Sequence, residues 1–188
     1  MTYHPIFPAA LQPAALDLLR TLGAAELSPP MQGFTVLVRG EKLSAPSRIY
    51  CEPANLRSAI ASSTGDTRML ALCLGSRHWD GYLREECARG LATIDRPWVV
   101  PFVVQLIGEY VIEIVEAVAA IAISDASAPL FSEFVRENPA FMATTRRRVV
   151  SYWDCYYRSR FPTLQGYPAF IALEAIEQTA GVHPTSLR

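Results

Sequence analysis

The stretch from Trp98 to Ile123, WVVPFVVQLIGEYVIEIVEAVAAIAI, does most to limit the folds open to this chain. It is almost wholly apolar, yet Pro101, Gln105, Gly108, Glu109, Glu113 and Glu116 interrupt it, and no eighteen-residue apolar run survives. Three carboxylates in one span would be very costly in lipid, so the stretch is expected as buried helix, with no membrane crossing. The whole chain is 51% hydrophobic and only 19% charged. Such an apolar balance predicts either a central helix buried nearly all round or an apolar face kept for a partner.

The stretch sits in a larger pattern over residues 78–122. Asp80-Gly-Tyr-Leu-Arg opens one apolar-periodic run, and Glu109-Tyr-Val-Ile-Glu opens another 29 residues later, which aligns Leu83 with Ile112 and Ala88 with Ala117. A period of that length, filled by two short helices, suits one helix-turn-helix layer of a solenoid. With Asp80, Leu83, Arg84, Ala88 and Leu91 in place, residues 78–122 resemble a HEAT repeat, although Glu113 stands where the first copy has Arg84. The resemblance implies antiparallel helical layers that expose a binding surface, and it brings no chemistry with it.

The remaining elements read from local signals. At 188 residues the chain is expected as one domain, with residues 1–13, which hold Pro5, Pro8 and Pro13, as an irregular arm. A helix should run from Pro13 to Thr21, with Leu16, Leu19 and Leu22 on one stripe and Gly23 as its stop. Ser28-Pro-Pro is a break. Alternation in Phe34–Arg39, then Gly40 and a second extended run from Leu43 to Cys51, predicts a β-hairpin over 33–51, with Pro46 confining its second strand to an edge. Residues 53–182 read as helical: Asp66 and Asp80 can each cap a helix, Pro97 can open one, and further helices are expected over 109–123, 128–137, 139–160 and 168–180. The fold class is therefore mainly α, in HEAT-like antiparallel layers with one hairpin.

Three clusters could carry function. Arg77-His78-Trp79-Asp80 could be an acid–base pair or a recognition tip; the plainer reading has Asp80 as cap, Trp79 as hydrophobic staple and His78 as a helix-end cation. Glu109, Glu113 and Glu116, at i, i+4 and i+7, should form an acidic stripe that either pairs with arginines such as Arg84 or receives a basic partner. With the nearby aromatics, the candidate partner-binding set is Trp79, Tyr82, Arg84, Trp98, Glu109, Tyr110, Glu113 and Glu116. Arg146, Arg147, Arg148, Trp153 and Arg158 set cations beside rings, the ingredients of a nucleic-acid groove, although core packing should absorb the aromatics of 149–157.

The four cysteines, 51, 73, 87 and 155, are too scattered for a zinc site, and the opening MTYHPIFPAALQP lacks the basic and apolar regions of a secretory signal, so a cytoplasmic chain with reduced thiols is expected. Nucleotide-binding, nucleophile-elbow and metalloprotease motifs are missing, and no cofactor, metal or catalytic residue is nominated. A net charge of −1 does not favour nucleic acid. The expected function is a non-enzymatic protein-binding module, an adaptor or a toxin-neutralising immunity protein; the alternative is a nucleic-acid-binding or -processing protein that uses Arg146–Arg148 and Arg158. A hydrolase built on His78, Asp80 and the glutamates is a third option.

Overall fold

A computed structural model describes residues 5–23, 33–91, 95–122 and 125–181. The first four residues of the arm, the Ser28-Pro-Pro break and the end of the apolar run at Ile123 lie outside the described residues. The protein is mainly helical, with one two-stranded antiparallel hairpin. Among the described residues, no helix is long and apolar enough to cross a membrane. The chain divides into two compact units, Met1–Leu91 and Ala92–Arg188, so the two copies of the 29-residue pattern fall in different units.

The first unit opens with Ile6 and Phe7 buried, and the amide of Ser44 donates to Pro5 O at 2.8 Å; packing thus ties down what composition suggested was an irregular arm. A 3₁₀ turn leads into α1, Gln12–Thr21. Its buried stripe is Ala15, Leu18, Leu19 and Leu22, whereas Leu16 is 47% exposed; the predicted stripe was rotated by part of a turn. Strands β1, Gly33–Val38, and β2, Glu41–Pro46, pair from Gly33↔Pro46 to Val38↔Glu41. Phe34, Val36 and Val38 alternate inward, as period-two patterning requires. The two-residue turn Arg39-Gly40 has φ of 51° and 79°, the positive pair that matches the twist of a tight hairpin. Pairing stops at Pro46 and not at Cys51, since proline has no amide to continue the ladder.

Helices α2, Pro53–Ser62, α3, Gly65–Gly75, and α4, Gly81–Gly90, complete this unit. The cap of α3 is Thr64, not Asp66, which lies in the first turn. The α3–α4 approach depends on Gly75: a Cβ there would stand 2.2 Å from Cys87 Sγ. Cys73 and Cys87 are fully buried between these helices, and burial pushes both thiols up, Cys87 to about 12. Cys155 is exposed and Cys51 half-buried. A thiol reagent is therefore expected to modify Cys155 first, and to reach Cys73 and Cys87 only in denaturant. Because the folded values lie above those of the unfolded chain, which titrates near ~8.5, the stability from these groups is complete below that pH and declines as pH rises toward their folded values. Denaturant midpoints at pH 8 and pH 10 check the sign; an unchanged midpoint would contradict it.

The second unit is built around α5, Val100–Ile107, entered through the Pro97–Val99 turn. All eight of its residues are buried, and α6, Ile112–Ala122, α7, Ala128–Glu137, α8, Pro139–Tyr152, and α9, Pro168–Thr179, pack on it. The apolar stretch is thus two helices with a reversal at 108–111. The amide of Glu109 closes α5 onto Leu106 O at 3.0 Å, and the first bond of α6 runs from Val115 N to Val111 O. The helix predicted from Glu109 begins at Ile112 instead. The helix predicted over 139–160 leaves the α register at Trp153, where residues 153–157 form a π turn.

Candidate functional site

The corner where α3 meets α4 is held by three buried polar side chains. Arg77, among the largest fully buried side chains, donates from Nη2 to Ser47 O at 2.7 Å, from Nη1 to Ser76 O at 3.2 Å and from Nε to Pro46 O at 3.4 Å. Arg84 is also buried, and its Nη1 donates to the carbonyls of His78 and Trp79, each at 2.9 Å. His78 is fully buried: Asp80 N donates to its Nδ1 at 3.1 Å, which leaves Nε2–H to donate to Cys51 O at 2.9 Å. Both ring nitrogens are therefore engaged with backbone. The imidazole serves as a strut, not as a helix-end cation, and Asp80 Oδ1 accepts from Tyr82 N at 2.9 Å as the N-cap of α4.

What this corner presents is aromatic. Ile49 and His78 form a parallel bridge, Ile49 N to Arg77 O at 2.8 Å and Trp79 N to Ile49 O at 3.1 Å. One residue further along each side, that register sets Tyr50 beside Trp79. Tyr50 is 75% exposed, Trp79 52% and Tyr82, on the first turn of α4, 81%. Trp79 does not fold back as a staple; its ring lies tilted beside His78 at 5.5 Å. Exposed Glu52 follows Tyr50 by two residues, Asp80 stands between Trp79 and Tyr82 in sequence, and Arg57 pairs with Glu86 through two bonds, both 2.8 Å. Asp80 is close enough for its charge to act on Arg57 and Glu86, although their mutual hydrogen bond is the larger cause that raises the first and lowers the second.

Of the predicted partner-binding residues, the structure places Trp79 and Tyr82 in this patch. Arg84 is buried under it, held by the carbonyls of His78 and Trp79, six and five residues back, whose orientation in the turn the sequence does not show. Tyr50 went unnoticed; the period-two run past Leu43 held the only signal that it points outward. Trp98, 7% exposed, and Glu109, 5% exposed, are buried in the second unit and present no surface. The acidic stripe therefore loses its first member, because Glu109 precedes the helix that carries Glu113 and Glu116. Glu116 accepts from Arg160 Nη2 at 2.7 Å, and so pairs with an arginine of its own unit.

The second unit gathers the arginine–aromatic set. Arg146, Arg147, Trp153 and Arg158 line one open groove of about 620 Å³, together with Ala143, Val150, Ser151 and Asp154. Arg148 is not among its lining residues; its Cδ lies against Gly108. Most of the charge is compensated. Arg146 bonds Glu174 at 2.5 Å and also Glu177, and its guanidinium lies over Phe170 at 5.4 Å. Arg158 lies over the Trp153 ring at 4.8 Å and pairs with Asp154 at 2.6 Å. Arg147, exposed, donates to Thr144 Oγ1 at 2.9 Å.

The aromatics of this region are not core as expected. The π turn leaves Tyr156 65% exposed and Tyr152, Trp153 and Tyr157 half-buried, with Val149 alone of the set buried. They form a ladder instead: Tyr110 meets Tyr152 edge-on at 6.2 Å, Tyr157 donates to Tyr110 O, and Tyr157 stacks on buried Tyr167 at 5.4 Å. Burial first, then the charge of Glu113, raises the Tyr157 hydroxyl above its ordinary value.

Among the described residues, no three His, Cys, Asp or Glu side chains converge as a metal site. Compared with known proteins, the chain matches no family model, no curated protein and no solved structure. The HEAT resemblance accordingly rests on the 29-residue pattern alone.

Proposed function

We propose that this protein is a non-enzymatic binding module whose partner is another protein, engaged through Tyr50, Trp79 and Tyr82. The observation that carries this reading is the exposure of three large aromatics on a corner fixed by buried Arg77, His78 and Arg84. Aromatic side chains with few rotatable bonds, carried on a held backbone, match the anatomy of interface hot spots. Glu52 and Asp80, each within two residues of an exposed ring in sequence, favour a basic contact surface, whose lysine or arginine side chains can lie over the aromatic faces. An adaptor, or an antidote that blocks a toxin, fits these requirements, in a cytoplasmic setting that keeps the exposed Cys155 thiol reduced.

The test is an affinity pull-down from an extract of the source cells, with nuclease and at two salt concentrations. The wild-type chain is expected to retain one stoichiometric protein. The Trp79→Ala/Tyr82→Ala double variant should lose it by ~100-fold or more, with an unchanged melting temperature, since truncation of central aromatics costs at least about 2 kcal/mol each. Equal retention by the double variant would sink the reading. The nucleic-acid alternative finds support in the shared groove of Arg146, Arg147, Trp153 and Arg158, but three carboxylates already engage two of those arginines, which weakens it.

A further inference from the structure

We infer that the groove beside α8 is a binding site for a small organic anion, an aromatic or apolar body carrying a single carboxylate, separate from the protein-binding corner. Its volume of about 620 Å³ falls in the range of small-molecule sites, roughly 300–1,000 Å³. The lining divides by chemistry. Ala143 and Val150 offer apolar surface, and the Trp153–Arg158 stack offers a planar guanidinium on which a further ring can lie. Trp153 Nε1 donates to Phe161 O at 2.8 Å, which favours this orientation of the indole.

Charge then selects the ligand. Arg146 is engaged by Glu174 and Glu177, and Arg158 by Asp154. Arg147 is the groove cation whose hydrogen bond goes to a neutral hydroxyl, that of Thr144, leaving its fork open to an incoming carboxylate. One open guanidinium suits one anionic group. A nucleic-acid strand would ask for several phosphates to be neutralised along its length, and the paired arginines do not supply that.

The probe is 1-naphthoate, titrated against the full chain, with 1-naphthalenemethanol as the neutral analogue of nearly equal shape. Trp153 indole N–H is followed by NMR, its resonance assigned through Trp153→Phe, and affinities come from calorimetry. Naphthoate is expected to shift the Trp153 resonance saturably, and the alcohol to bind at least ~10-fold more weakly. Arg147→Gln, at an exposed site, should lower naphthoate affinity by ~10-fold with no change in melting temperature. Absence of a Trp153 shift at millimolar naphthoate, equal affinity for acid and alcohol, or full affinity in Arg147→Gln would each overturn the proposal. Displacement of naphthoate by an oligothymidylate that binds more tightly would also overturn it, and would assign the groove to single-stranded nucleic acid. None of these outcomes depends on Tyr50, Trp79 or Tyr82.

Discussion

Arg77→Met is expected to lower the stability of the chain by about 3 kcal/mol, because it strips charged donors from buried carbonyls while it nearly preserves volume. Pro46 O, Ser47 O and Ser76 O all accept from this one guanidinium, and the side chain is almost wholly shielded from water. Ser47 O keeps a second donor, Arg48 Nη1 at 2.7 Å, so the loss falls mainly on Pro46 O and Ser76 O, whose bonds to Arg77 are buried. A midpoint shift in urea denaturation at unchanged slope measures the effect. Arg68→Met, at an exposed arginine of α3, provides the comparison and should change stability by no more than ~0.5 kcal/mol. A loss below about 1 kcal/mol for Arg77→Met would mean that the corner is not held by this residue, and the rigid platform under Trp79 would lose its physical basis.

Phe102→Ala should be costlier still, about 3–5 kcal/mol, since it removes a large ring from the helix on which the second unit is assembled. Phe102 is 1% exposed, and its neighbours on α5 are buried at every position, so no face of that helix is free to relax toward solvent. Ile171→Ala on α9, at a site 43% exposed, should cost far less. The pair is read by chemical denaturation; near-equal losses would show that α5 is not the centre of its unit.

Legibility in the sequence followed the range of the interactions involved. Asp80 was readable as a cap because its partner, the amide of Tyr82, lies two residues away. The hairpin was readable because alternation and Gly40 are both local. The break after Ile107 was readable from Gly108 and Glu109, but the start of the next helix was not: expected at Glu109, it falls at Ile112, because the run stays apolar through Val111, Ile112, Ile114 and Val115 and only packing decides where that helix begins. Arg84 looked like a surface cation for a similar reason: its acceptors are carbonyls exposed where α3 has ended, a fact that no spacing encodes. The groove cations were visible as a cluster, but Glu174 and Glu177 lie 28 and 31 residues from the arginine they engage. Tyr50 and the rings of 152–157 share one lesson. A single sequence does not distinguish an aromatic that fills a core from one held out into solvent; the rings of 152–157 were assigned to the core by the period of a helix that ends at Tyr152, and Tyr50 was given no role at all.

The most direct test of the protein-binding account is site-specific photo-crosslinking in the source cells, with a benzoyl-phenylalanine placed singly at position 50, 79 or 82, and at Leu16 as an exposed control outside the patch. The account predicts one covalent adduct of the same mass from positions 50, 79 and 82, and none from 16. Adducts of unrelated masses at all four positions, or none at the three aromatic sites, would contradict it.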